Sequence, residues 1–269
     1  MHKVDIPAFH WPAAQNPRYK YPLAENVEYN RAQDEASLAD IRAKISEWKD
    51  RYNKEVVAVV MEPIQSEGGD NYLSNEFAQG VRDLTLELGI YFIVDEVQTS
   101  VCSTGKFWGH EHWNLTTPPD FVTFAKKMLS CGFYHRHDTR VQQAYRHFNT
   151  FFGDPVRAQL TAAQNKIIKE DRLDEVAARS GAYLQNRLYE IEAKYPKIVS
   201  KTRGLGTYLS FSSDTPAIRD ELMLRMKSEG VNQGGCGDRS SRFRPTLYFE
   251  EKHVDYYCNA LERACKSMQ

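Results

Sequence analysis

Two ionisable residues stand where strongly apolar segments give way to polar sequence. Asp95 follows Ile-Tyr-Phe-Ile-Val (90–94), and Lys126 follows Phe-Val-Thr-Phe-Ala (121–125). A carboxylate in such a place needs a cation or several donors, or its pKa climbs. A lysine in a partly desolvated pocket loses its proton more readily and becomes a nucleophile for carbonyl carbon. An acid and a lysine at neighbouring strand ends are what pyridoxal phosphate chemistry requires: the lysine forms a Schiff base and the acid keeps the pyridine nitrogen protonated. A plain Asp–Lys salt bridge at a sheet edge uses the same pair, and from spacing alone it is the simpler reading. Lys127 competes with Lys126, which is preferred because it directly follows the strand.

The elements that must position these groups can be read from periodicity. Residues 1–34, with Pro7, Pro12, Pro17 and Pro22, predict an extended arm, because proline fixes φ and removes a donor. Leu38, Ile41, Ile45, Trp48 and Tyr52 step by threes and fours and predict a helix over 35–52. The valine-rich run 56–61 predicts a strand buried on both faces. A helix over about 75–88 follows, opened by Ser74 and closed by Gly89, then strands at 90–94 and 121–124. Alternating strand and helix imply a parallel sheet, and ligands of such sheets bind beyond the carboxyl ends of the strands. Residues 62–70, 95–98 and Lys126 all fall at such ends. After Pro155 the pattern changes to helices over about 157–170 and 173–194, a strand near 206–211, a helix over 216–228, a strand at 246–249 and a closing helix from about 252. The chain therefore divides into an α/β unit, 1–156, and a smaller α+β unit, 157–269.

Lys+Arg 35 against Asp+Glu 36 gives a net charge of 35 − 36 = −1, which lacks the electrostatic footprint of a nucleic-acid or membrane-surface binder. The longest apolar run, 56–61, is far short of the ~20 residues of a membrane span. Composition is that of a soluble globular chain. Five scattered cysteines, an odd number without a CxxC pair, suit a reducing compartment. Cys258 and Cys265 read as core thiols rather than metal ligands. Residues 1–7 carry no apolar or Arg/Ser-rich amphipathic targeting pattern.

Several segments, taken in order, resemble one family. They are Met61-Glu-Pro-Ile-Gln-Ser-Glu-Gly-Gly-Asp70, Val94-Asp-Glu-Val-Gln-Thr99, Ser103-Thr-Gly-Lys-Phe-Trp108 and Pro119-Asp-Phe-Val-Thr-Phe-Ala-Lys-Lys127. His110-Glu-His-Trp113, Phe148-Asn-Thr150, Arg203-Gly-Leu-Gly-Thr207, Gly234-Gly-Cys-Gly-Asp238 and Arg242-Phe-Arg-Pro-Thr-Leu247 extend the match over nearly the whole chain. The chain resembles the class III pyridoxal-phosphate aminotransferases, and within them the eukaryotic 4-aminobutyrate aminotransferases. The resemblance implies a partial fold-type I large domain followed by a small C-terminal domain. It also implies pyridoxal 5′-phosphate as cofactor, amino-acid and 2-oxo-acid substrates, a homodimer and the mitochondrial matrix. By the same resemblance Lys126 is the Schiff-base lysine and proton shuttle, Asp95 pairs with the pyridine nitrogen, Gln98 bonds the ring's phenolic oxygen and Val97 packs on a ring face. Thr150 reaches across the dimer to the partner subunit's cofactor phosphate. Arg242 grips an α-carboxylate through a bidentate fork, and Glu67 neutralises Arg242 when the substrate has none.

Two departures accompany the resemblance. The family's glycine-rich loop after Asp-Glu-Val-Gln is here Ser100-Val101-Cys102, residues that do not take positive φ freely. The phosphate cradle, the ring-stacking aromatic and a second substrate arginine belong to a region upstream of anything matched here, as do the cysteines of an iron–sulfur cluster, so no cluster is assigned to Cys102 or Cys131. Three readings follow: transamination of 4-aminobutyrate with 2-oxoglutarate, by a chain weakly active or inactive alone; the same chemistry on another ω-amino acid such as β-alanine; or a catalytically incompetent short form that acts as a dimerisation or interaction protein.

Overall fold

The computed structural model describes residues 4–269. Met1 to Lys3, and that part of the N-terminal reading, lie outside the described residues. The arm is extended to Pro22 and makes one turn at Leu23–Glu25. Helix α1 (Val27–Tyr52) then starts at 27 rather than 35. Its first turns bury Asn30, Asp34 and Ser37 instead of apolar residues, so the apolar spacing is silent there. Asn30 holds both the N–H and the C=O of Lys20 (2.8 and 3.0 Å), and Asp34 accepts from Tyr19 Oη and from Ser74 Oγ (2.7 Å). The arm is docked by polar groups.

Strands β1 (Ala58–Met61), β4 (Tyr91–Asp95) and β5 (Phe121–Phe124) pair in parallel, and β6 (Gly132–His135) adds an antiparallel edge. Between β1 and β4 lie the short hairpin β2 (Ile64–Gln65) and β3 (Asn71–Tyr72) and helix α2 (Asn75–Leu88). Ser74 caps α2 by accepting the Phe77 N–H at 2.9 Å, and Gly89 ends it in the left-handed conformation, as the sequence predicts. Phe77, Ala78 and Val81 of α2 are buried against Phe92 and Val94. Strand β6 escaped sequence reading because all four of its residues are exposed and show no alternation.

Helices α3 (Pro155–Glu170), α4 (Leu173–Lys194) and α5 (Pro216–Ser228) match the sequence reading, with Asp154 capping α3 two residues earlier. The single strand expected at 206–211 is instead a hairpin, β7 (Ser200–Leu205) and β8 (Tyr208–Ser212). The buried residues of β7 are Thr202 and Arg203, so its sequence carried no apolar signal. Thr246–Phe249 is a turn, closed by Phe249 N–H on the Thr246 carbonyl at 3.1 Å, not a strand. The remaining strands are β9 (Gly234–Cys236) and β10 (Ser240–Arg242), whose small and polar residues gave no pattern. The second sheet, β7-β8-β10-β9, is antiparallel throughout. Its core is closed by α4, α5 and α6 (Glu251–Lys266), with Cys258 and Cys265 fully buried in it as core thiols. The architecture is α/β, with a mainly parallel first sheet. Among the described residues no helix is long and apolar enough to cross a membrane.

Candidate active site

Asp95 closes β4 at the carboxyl edge of the parallel sheet. Its Oδ1 accepts from the Val97 N–H (2.9 Å) and from Thr123 Oγ1 (3.2 Å), the residue opposite it on β5. Its Oδ2 has no donor among the described residues. The loop beyond is pinned by fully buried Glu96. Glu96 Oε1 receives the His110 N–H and pairs with His110 Nδ1, both at 2.7 Å, while Oε2 receives Thr99 Oγ1 at 2.5 Å. A carboxylate with this many partners fixes backbone on both sides of it.

Strand β5 ends at Phe124, with Ala125 between it and Lys126. Lys126 has φ +50°, and the chain makes a single turn over Lys126–Met128 closed by Leu129 N–H on the Lys126 carbonyl at 2.9 Å. Helix α3 grips this turn: Gln164 Nε2 donates to the Lys127 carbonyl (2.7 Å) and Thr161 Oγ1 to the Met128 carbonyl (2.8 Å). The twist separates the two lysines. The Lys126 side chain is exposed and its Nζ has no hydrogen bond among the described residues, whereas Lys127 Nζ donates to Ser103 Oγ at 2.5 Å. Burial, reinforced by the Arg244 charge, lowers the Lys127 ammonium to about 8.

Opposite these lysines, Glu67 sits in the turn between β2 and β3. Its Oε1 receives Arg242 Nη1 from the end of β10 at 2.7 Å and Gln98 Nε2 at 3.4 Å. The Arg242 hydrogen bond holds the Glu67 carboxyl below its ordinary value, with Gln98 and Lys126 adding to the effect. Gln98 Oε1 in turn accepts Arg244 Nε (2.9 Å) and Tyr208 Oη (3.0 Å).

Sequence reading therefore named residues that the fold gathers: Asp95, Val97 and Gln98 on one loop, Lys126 on the next strand end, and Glu67 with Arg242 facing them. Val97 is half-buried, with its N–H on Asp95. Thr150 stands apart, exposed on the segment before α3 and without a hydrogen bond to the other candidates among the described residues. Arg244, Asp70 and Tyr208 were missed. Arg244 and Asp70 both lay inside motifs already noticed, but only the tertiary structure pairs them.

The loop that departs from the glycine-rich pattern adopts the glycine conformation regardless. Val101 and Cys102 both have φ +63° and are 1% and 2% exposed. Left-handed backbone is costly for a β-branched residue. The loop is held by packing with Met128, Ile168 and Leu173, and by both N–H groups on the Phe107 carbonyl. Burial pushes the Cys102 thiol up to about 12.

Comparison with known proteins bears on the family. A family model described as "Aminotransferase class-III" matches residues 1–265. The chain is 48% identical to a probable mitochondrial 4-aminobutyrate aminotransferase of Caenorhabditis elegans, over 100% of the chain and 55% of the relative. It is 44% identical to the mitochondrial 4-aminobutyrate aminotransferase of Sus scrofa, over 96% of the chain and 52% of the relative. Among solved structures, a lysine aminotransferase of M. tuberculosis superposes with a TM-score of 0.89 at 30% identity, covering 99% of this chain and 61% of that one. The chain spans about half the length of the curated relatives it matches.

Proposed function

We propose that this chain, which belongs to the class III aminotransferase family, carries the lysine-bearing part of a pyridoxal-phosphate site that transfers the amino group of 4-aminobutyrate to 2-oxoglutarate, giving succinate semialdehyde and glutamate. The observation that carries the reading is that Asp95 and exposed Lys126 follow adjoining parallel strands at the same sheet edge, with the Glu67–Arg242 pair near Lys126. The donor set fits the cofactor's ring side. Asp95 has an uncommitted Oδ2 for a protonated ring nitrogen, Gln98 offers an amide to the phenolic oxygen, and Lys126 Nζ is free to bind the aldehyde. When bound, the cofactor supplies an electron-withdrawing ring that stabilises negative charge on the adjacent carbon. Lys126 Nζ would carry the proton between the substrate carbon bearing the amino group and the cofactor's C4′. Val97 packs on the ring, and Thr150 contributes to the phosphate site of the partner subunit.

The Glu67–Arg242 pair accounts for two substrates of different charge. With 4-aminobutyrate, Glu67 stays on Arg242 and leaves no unpaired cation. With glutamate, the extra carboxylate takes the guanidinium fork and Glu67 swings out. The same pair would serve another ω-amino acid such as β-alanine. In this reading residues 1–156 form the cofactor-side unit and 157–269 the small unit. A homodimer is supported by the apolar surface around Thr150, where Phe148, Phe151 and Phe152 are 77%, 75% and 67% exposed. Mitochondrial relatives support a matrix location.

The test is the absorbance spectrum of the purified chain with added pyridoxal phosphate, beside Lys126→Ala and Lys127→Ala. A Schiff-base band that is lost only in Lys126→Ala supports the reading. A band lost only in Lys127→Ala transfers the role to Lys127, and no band from a folded chain refutes cofactor binding by this chain alone.

A further inference from the structure

Gln98 is an amide with a partner at each end, and one of its two N–H groups is left over. Its Oε1 receives Arg244 Nε at 2.9 Å and Tyr208 Oη at 3.0 Å, and its Nε2 faces Glu67 Oε1 at 3.4 Å. Flipping the amide would set its oxygen against the Glu67 carboxylate and its NH2 group against Arg244 Nε, which can only donate, whereas the Tyr208 hydroxyl can serve either end. Arg244 Nε and the Glu67 carboxylate thus decide which end meets Glu67. Arg244 is itself immobilised. Its Nη2 and Nη1 fork onto Asp70 Oδ1 and Oδ2 (2.6 and 3.1 Å), Nη1 also donates to the Phe243 carbonyl (2.7 Å), and the guanidinium lies 3.4 Å from the Tyr208 ring centroid. Asp70 is 2% exposed and ends the same turn that carries Glu67. That turn is fastened from β7, where Arg203 donates to the Gly69 and Asp70 carbonyls at 2.6 and 2.8 Å. Tyr208 Oη is also held, 2.6 Å from Ser66 Oγ.

We propose that Arg244 is a positioning residue that keeps the Glu67–Arg242 latch closed by fixing the orientation of the Gln98 amide. A planar fork is required: two nitrogens hold Asp70 while the third holds Gln98, and an ammonium cannot span both in that geometry. Where the amide is oriented this way, Glu67 has two donors in the closed position. Without Arg244 Nε, the amide is less firmly oriented and its N–H is held less well on Glu67 in the closed position. The inference deepens the proposed function, in which this latch discriminates substrates with and without a carboxylate at the Arg242 end. Arg244 then bears on specificity without touching substrate.

The experiment uses the full chain without cofactor or substrate, so its outcome is independent of whether the chain binds pyridoxal phosphate. Glu67 is followed by its side-chain carboxyl carbon in NMR titrations of the parent, Arg244→Lys, Tyr208→Phe and Gln98→Leu. The charged groups facing Glu67 are Arg242 from β10 and Lys126 from the turn after β5, and none of the three substitutions removes either. Arg244→Lys retains a cation for Asp70, and Tyr208→Phe changes no charge, so the fold is guarded in two ways. The Glu67 midpoint should rise by about half a pH unit or more in Arg244→Lys and Gln98→Leu, and by less in Tyr208→Phe. No movement in folded Arg244→Lys would overturn the proposal whatever Tyr208→Phe does, as would no movement in Gln98→Leu.

Discussion

Gly181 lies in the middle of α4, where alanine is ordinarily the better helix former by about 1 kcal/mol. Gly181→Ala should nevertheless destabilise this protein. A Cβ there would stand 2.0 Å from the Gly206 oxygen, 2.1 Å from its carbonyl carbon and 2.6 Å from its Cα, all backbone atoms. Non-bonded contacts require about 3.5 Å, so helix and hairpin turn must separate by more than an ångström. Gly206 has nowhere to go. A Cβ on it would already be 2.5–2.7 Å from the backbone of Ser103 to Gly105, and one on Gly105 would meet Ala178 of α4 at 3.0 Å. Three backbones are stacked in contact, and the last carries Ser103. Its carbonyl accepts the Tyr208 N–H at 3.0 Å, and its hydroxyl receives Lys127. Overpacking costs about 1–3 kcal/mol and sometimes more, which exceeds the propensity gain. A net loss of about 2 kcal/mol lowers the Tm by roughly 4–8 °C for a chain of this size. Thermal and urea unfolding of Gly181→Ala would be compared with Ala182→Gly, the adjacent exposed position, where propensity alone should cost about 1 kcal/mol. Stability of Gly181→Ala equal to or above the parent would refute the close-packing argument.

Lys127 titrates near 8 in the folded chain but near its ordinary value when unfolded. The unfolded chain therefore holds the extra proton between those values, and stability rises with pH across that window. Lys127→Met should be more stable than the parent at pH 7 by about 1–3 kcal/mol, an advantage that shrinks towards pH 10.5; an advantage that grows with pH contradicts the burial. Asp120 is 2% exposed and accepts Arg82, Arg136 and the Phe92 N–H, each at 2.8 Å. Arg82→Met should cost about 3–5 kcal/mol in denaturant unfolding, and a loss below about 1 kcal/mol would show that the pair is dispensable. Burial alone would raise the Asp120 carboxyl, but the Phe92 N–H and the two arginines outweigh it and hold the group below its ordinary value. Its stabilisation is thus complete above about pH 4 and lost as pH falls through the folded value, and Asp120→Asn should flatten that acid limb. Of the five cysteines only Cys131 is exposed, and burial pushes Cys102, Cys236, Cys258 and Cys265 each up to about 12. One fast-reacting thiol per native chain is expected with a disulfide reagent, and two or more would contradict the packing.

The helices α2, α4 and α5 and strand β5 were legible in the sequence because apolar periodicity, caps and terminal glycine act locally and over few residues. Asp95, Lys126, Glu67 and Arg242 were legible as chemistry because strand ends and motifs point to them before any contact is known. The start of α1, strand β7 and strand β10 were not, because each buries or presents polar and small residues whose partners lie far away in the chain: Asp34 on Ser74, Arg203 on Gly69 and Asp70, Ser240 on Arg203. Local pattern cannot report a buried polar group, since its burial is tolerated only once a distant partner satisfies it. Sequence position preferred Lys126 over Lys127, but only tertiary structure gave these two identical side chains different surroundings. A left-handed residue at the end of β5 and two hydrogen bonds from α3 turn one into solvent and the other onto Ser103.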